Sequence, residues 1–286
     1  MHHFTEDTRT GRGGPGLLPE LVSKRHWRSE LCSYFRAYLA FHYAGLADWT
    51  STKRHIDDLR THMRTSDISP AGPLGQLVLY LDGVYHQGIG HFDMALRIFG
   101  DAKFDLSTSK STTLTSAEQV AKDVALLAAL NTLWILQDKP RLDQRRNMAI
   151  LERIRPFCVS HPNYDIRVAW SIVLATVETT SPITVTQVKS PLGMALRYAQ
   201  TTMNAHFLAI ILSIMCGRFF NNVIGPQAEK SAKSASVQAG RSGNKLWMSV
   251  TDGMLARFYD VQGKKTEAEA TMAQAQRYAE EALPGV

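Results

Sequence analysis

The sequence predicts an all-α fold, a tetratricopeptide-like right-handed superhelix of helical hairpins, and three observations predict it. Gly83, Gly90, Ala95, Phe99 and Ala102 fall at the small, turn, small, aromatic and small positions of a helical repeat of about 34 residues. The same register recurs near the C-terminus in Leu255, Ala256, Tyr259, Gly263, Ala268, Met272 and Ala275, with Met272 standing where an aromatic is usual. No segment carries the sustained alternation of apolar and polar residues that a sheet face requires. The spacing has a physical origin. Two antiparallel helices approach closely only where the facing residues are small, and an aromatic ring fills the wedge beside them. A stack of such hairpins is a binding surface before it is an enzyme.

Residues 1–22 read as a disordered leader. They open polar and Gly-rich, without the apolar stretch of a signal peptide. The run Gly11 to Gly16 has no preceding strand and is interrupted by Pro15, so it is no phosphate loop. Residues 23–286 read as one repeat domain of about twelve helices.

The first hairpin is expected from about Ser23 to Arg64, with Leu39, Ala40 and Tyr43 at its crossing; its second helix, Thr52 to Met63, fits the repeat pattern poorly. Ser69 to Pro73 forms a turn, because proline lacks an amide proton and restricts the residue before it. Leu74 to Phe104 is the second hairpin. Ser107 to Thr113 is a loop whose hydroxyls compete for backbone hydrogen bonds. Thr115 and Glu118 have capping-box spacing, so a helix starts there and runs to Leu136, with Leu142 to Arg155 as its partner. Pro156 and Pro162 bracket the next break.

Ile166 to Val177 and Thr186 to Met203 form the fourth pair, with Pro191 read as starting its second helix. His206 to Phe220 is followed by a helix that opens at Gly225 and Pro226 and carries Gln227, Ala228, Ala232 and Ala235 on its small face. Gly240 and Gly243 are its stop signals. The last hairpin starts near Lys245, and Thr266 with Glu269 caps its second helix, which ends near Leu283.

The composition excludes several function classes. Of 286 residues, 44% are hydrophobic, enough for a large core. The net charge of +6 comes from 32 basic and 26 acidic residues, a mixed surface rather than one built throughout for nucleic acid. Cys32, Cys158 and Cys216 are too scattered for a disulfide frame or a zinc site and read as buried thiols. The most apolar run, Phe207 to Cys216, is far shorter than the roughly 20 residues that span a bilayer, so no membrane partner is expected.

No cofactor, metal or catalytic residue is expected. The ten histidines are dispersed, and His55 and His62, seven apart, read as solvated. Gly240 to Gly243 has the wrong spacing for a nucleophile elbow. Asp57 with Asp58 and Glu280 with Glu281 are neighbours in sequence on exposed faces, not a facing pair in a cleft. Arg141, Arg145, Arg146, Arg153 and Arg155 have two readings, phosphate contact or a solvated helix face, and the interleaved Asp143 and Glu152 favour the second. Lys230, Lys233, Arg241 and Lys245 have the same two readings.

In a superhelix of this kind the first helix of each hairpin lines the concave face. That register turns Phe41, Tyr80, Gln87, Phe220, Arg257 and Asp260 inward. Phe41 and Phe220 are expected to pack between hairpins. Tyr80, Gln87, Arg257 and Asp260 are the candidate partner-binding residues, because aromatic and forked polar side chains dominate binding hot spots. The Lys and Asn pattern that holds a peptide carboxylate in chaperone-tail receptors is absent: the corresponding places hold Tyr80, Val84, Gly253 and Arg257.

The C-terminal third carries more than generic spacing. Asn204 to Phe220, then Val223, Ile224, Gly225, Gln227, Ala228, Lys230, Ser231 and Ala232, then Leu246, Trp247, Ser249, Val250 and Asp252 to Leu255, and finally Val261 to Gly263, resemble the closing repeats of cohesin loading factors. Leu126 to Ile154, with Asn131 and the string Leu151, Glu152, Arg153, Ile154, is similar to a repeat further upstream in that family. The similarity is best from Leu74 onward and implies either the C-terminal portion of such a protein or a shortened gene product of that family.

The resemblance implies a non-catalytic adaptor subunit of the cohesin loader, acting in cohesin loading and sister-chromatid cohesion in the nucleus. It implies the large HEAT-repeat loader subunit as direct partner, with cohesin and chromatin reached indirectly. The other function compatible with the repeats is a tetratricopeptide-like scaffold of an unrelated complex.

Overall fold

A computed structural model describes residues 17–101, 104, 106, 116–137, 144–177, 185–220 and 225–283, and these described residues form twelve α-helices arranged as six hairpins. No strand occurs among the described residues. The first hairpin joins α1 (Leu17–Gly45) to α2 (Trp49–Thr65). α1 begins at Leu17, inside the stretch expected as leader; residues 1–16 lie outside the described residues. Asp48 caps α2 by accepting from the Ser51 amide at 2.9 Å. Thr52, Ile56, Leu59 and Met63 then bury one stripe of α2, so the poor repeat match hides a regular amphipathic helix. His55 and His62 are half-buried and partnered rather than simply solvated. His55 stacks on Tyr43, and His62 Nε2 lies 3.2 Å from Ser29 Oγ, tying α2 to α1.

The second hairpin, α3 (Pro73–Gly88) and α4 (Phe92–Phe99), follows the expected spacing. Pro73 occupies the first turn, where its missing amide proton costs nothing. Gly90 turns the chain at φ +80°, Ala95 is fully buried, and Phe99 packs against Gly83. Ala102 lies outside the described residues, as does the expected loop 107–113.

Two prolines were expected to mark boundaries and instead lie within helices. The third hairpin pairs α5 (Ser116–Leu136) with α6 (Gln144–Val159), and α6 passes through Pro156. Pro156 is exposed on the outer face of α6, so water can reach the backbone that the ring disrupts, and the helix continues one more turn. The fourth pairs α7 (Tyr164–Val177) with α8 (Val185–Thr201), which opens before Pro191 rather than at it. α5 is long and apolar enough to cross a membrane by composition alone, but it is packed against α3, α4, α6 and α7 as a core helix.

The fifth hairpin is α9 (Ala205–Phe219) with α10 (Pro226–Ser242), and the sixth is α11 (Lys245–Val261) with α12 (Lys265–Ala282). Asn204 and Asn244 cap α9 and α11 in the same way, each accepting from the amide three residues on. Gly243, at φ +71°, ends α10, whereas Gly240 continues it. α12 starts at Lys265 without a side-chain cap, so the expected Thr266 cap does not form.

Each first helix packs on the hairpin before it, and a core cluster runs from α1 to α7 with smaller clusters behind it. On α10, Ala228, Ala232, Ala235 and Ala239 are all fully buried, letting α9 and α11 close against its backbone. Gln227, expected on that face, is exposed. Met272 is 41% exposed and fills no wedge, and Leu39, expected at a crossing, is 43% exposed. Cys158 and Cys216 are buried, with thiols pushed up to about 12 and about 11 by desolvation; Cys32, in contrast, is exposed.

Candidate partner-binding cavity

The array curves until its two ends meet. Asn244 Nδ2 donates to the Gly45 carbonyl at 2.8 Å, across 199 positions of sequence, and the Lys245 amide donates to the Leu46 carbonyl at 3.3 Å. Gly243 lies so close that a Cβ there would stand 3.1 Å from Leu46 Cδ2. The first and last hairpins thus close a ring.

Inside the ring lies a cavity of about 770 Å³, within the range of roughly 300–1,000 Å³ typical of ligand sites. Its wall is built from the first helices: Tyr80, Val84 and Gln87 of α3; Leu127, Leu130, Asn131 and Trp134 of α5; Ala169, Ile172 and Val173 of α7. Phe207 and Ile210 of α9 and Trp247 of α11 complete it, with Trp49 at the α1–α2 corner. Among the described residues no Asp, Glu, Lys or Arg lines it.

Polar groups in the wall are few and deeply set. The Tyr80 hydroxyl accepts from Asn131 Nδ2 at 2.9 Å, and its ring lies 5.9 Å from Phe41 and from Phe99. Burial pushes its pKa up. Trp49 Nε1, Gln87 Oε1 and His206 Nδ1 are buried with no hydrogen-bond partner among the described residues. Desolvation holds the His206 imidazole below its ordinary value of 6.5, so it is neutral at physiological pH.

The four candidate residues separate into two groups. Tyr80 and Gln87 lie in the cavity wall, with Tyr80 only 5% exposed. Arg257 and Asp260 are exposed on α11 and are not part of that wall. Phe41 packs against Tyr80, and Phe220 joins the cluster around Cys216 and Leu255. The sequence reading missed Trp49, Asn131, Trp134, His206, Phe207 and Trp247. A usable signal was present for α9, which is apolar on all sides rather than on one stripe and so must be covered on two faces.

Charge sits outside the ring. Arg145, Arg146, Arg153 and Arg155 are exposed along α6, where Arg155 pairs with Glu152 at 3.0 Å; Arg141 lies outside the described residues. On α10, Glu229 bonds both Lys233 and Lys264, which hold its carboxyl down to about 2. Among the described residues no group of three or more His, Cys, Asp or Glu converges to hold a metal ion.

A ring of helical hairpins around an apolar cavity defines a helical-repeat protein. A family model described as cohesin loading factor matches residues 4–266, nearly the whole chain and well upstream of Leu74. The chain belongs to the cohesin loading factor family, and membership supports a role in cohesin loading. No curated protein and no solved structure matches the chain.

Proposed function

We propose that this chain is a non-catalytic adaptor subunit of the cohesin loader, which holds an uncharged, apolar segment of the large HEAT-repeat subunit inside its ring. The observation that carries this reading is the cavity itself, to which every hairpin contributes and whose lining holds no charged side chain among the described residues. Such a wall rejects a phosphate backbone and rewards burial of apolar side chains at about 25 cal/mol per Å². The unpaired Trp49, Gln87 and His206 groups are available to main-chain donors and acceptors of an occupant. Nuclear, chromatin-associated action then follows through the partner rather than through intrinsic DNA affinity. Tyr80 and Gln87 contact the segment, while Arg257 and Asp260 serve a separate contact on the outer surface.

The test is co-purification with the large subunit. Replacing Ala169 by Asp puts a carboxylate into the cavity wall, and capture should fall at least tenfold while the helical circular dichroism spectrum persists. Undiminished capture by the folded variant would move the interface off the cavity.

A further inference from the structure

We infer that the outer face of the third hairpin is a second docking site, which takes an acidic segment of a partner protein by seating one large apolar side chain between two arginines, Arg146 and Arg153.

The site starts from the far side of α5. Leu127, Leu130, Asn131 and Trp134 face the ring cavity, while Ala125, Ala129 and Thr132, spaced by four and three residues, occupy the opposite side of the same helix. All three are small and buried. α4 and α6 both lie on α5, and no close packing joins them to each other. Small residues beneath that gap leave a recess of about 330 Å³, with Phe99 and Phe104 in its lining. The Thr132 hydroxyl donates to the Ala128 carbonyl at 2.9 Å, so the floor asks for no polar partner. The volume stands at the low end of ligand sites, room for one aromatic or branched side chain rather than a folded element.

Charge decides what else the occupant carries. Arg146, Ala149 and Arg153 form the rim along α6. Among the described residues the two guanidinium groups have no ion-pair or hydrogen-bond partner, and no Asp or Glu lines the recess. Glu152, the sole acidic residue of α6, is turned about 100° from Arg153 and is taken by Arg155. Two unpaired cations beside an apolar pit complement carboxylates that flank an apolar side chain. Their spacing sets the pattern. Seven helical positions place them about 10.5 Å apart along α6, the reach of about three residues of extended chain. The anchor therefore sits between two acidic residues about three positions apart. A nucleic acid would satisfy the arginines and leave the recess empty, so the recess favours a peptide.

The test uses the full chain and labelled, end-capped peptides in which a central Phe, Leu or Ala is flanked on both sides by Asp and Glu, with Asn/Gln-flanked and Lys-flanked versions. Fluorescence anisotropy should rank the acidic Phe or Leu peptide at least tenfold above its Ala-centred and neutral-flanked forms, with affinity falling as salt rises. Ala149→Trp, at an exposed rim position, plugs the recess from outside the core and should cut that binding at least tenfold. Arg146→Glu with Arg153→Glu should reject the acidic peptide and prefer the Lys-flanked one, a reversal that unfolding cannot produce. Ala169→Asp, a lesion of the ring cavity, should not alter this binding, which separates the present inference from the function proposed above. No binding of any acidic peptide, equal binding of acidic and neutral-flanked forms, or retention by both the plugged and the charge-reversed variants overturns the inference. Indifference to the central residue together with displacement by a DNA duplex overturns it too, and assigns the arginines to phosphate.

Discussion

The Phe99 ring occupies the space that a Cβ at Gly83 would need: an added carbon there would lie 2.4 Å from Phe99 Cε1. The ring is itself fixed, being 4% exposed and packed against Tyr80. α3 and α4 can therefore cross this closely only because residue 83 has no side chain.

Gly83→Ala should accordingly destabilise the protein by about 1–3 kcal/mol through overpacking. Urea denaturation of the single variants and of Gly83→Ala with Phe99→Leu checks this. The smaller side chain should recover part of the loss, giving a coupling of at least about 0.5 kcal/mol; strictly additive effects would refute the contact.

Ala95→Arg should be far worse, costing about 4 kcal/mol or more, because Ala95 has no exposed surface and a guanidinium there has no route to water. Loss of the cooperative thermal transition is the expected readout. A normal melting temperature would mean the α3–α4 crossing lies elsewhere.

His206 makes stability depend on pH. Its folded pKa is lowered by burial, so the unfolded chain takes up a proton near 6.5 before the folded one does. Its contribution is present above 6.5 and is lost as pH falls below that value. His86 is shifted the same way, chiefly by desolvation. Urea midpoints should drop between pH 7.5 and 5.5, and His206→Phe should flatten that slope; an unchanged slope would remove His206 as a source.

Tyr80→Phe should cost only about 0.5–1.5 kcal/mol, the worth of the bond from Asn131, which keeps its second bond to the Leu127 carbonyl. Tyr80→Ala should cost about 3–5 kcal/mol through the void it leaves. Denaturation midpoints of the two variants separate the hydroxyl from the ring, and equal losses would contradict the packing described.

Purified protein should bind a DNA duplex weakly and without sequence preference, through exposed arginines such as Arg145, Arg146 and Arg153. Fluorescence anisotropy should show affinity falling steeply with salt. Tight binding at physiological salt would count against the adaptor role.

Much of the array was legible because its determinants are local. The small residues Gly83, Ala95, Ala228, Ala232 and Ala235 sit three, four and seven positions from their helical neighbours, within the reach of a periodic pattern. Pro156 and Pro191 were misplaced because the cost of an interior proline depends on what surrounds the freed carbonyl, which is tertiary information. The closure of residues 45–46 on 243–245 was not legible at all, since no local pattern pairs positions so far apart. For the same reason the groove register failed to separate Gln87, in the wall, from Arg257 and Asp260, outside it.

The wall of the ring also gives the protein a native optical reporter. Of its five tryptophans, Trp49, Trp134 and Trp247 border the cavity, while Trp27 is 63% exposed and Trp170 is sealed in the core at 4%. An arriving apolar segment changes the polarity around three indoles at once and leaves the other two as internal references. Occupancy can thus be followed by emission wavelength in the unlabelled chain, and the kinetics of filling read directly in a stopped-flow trace.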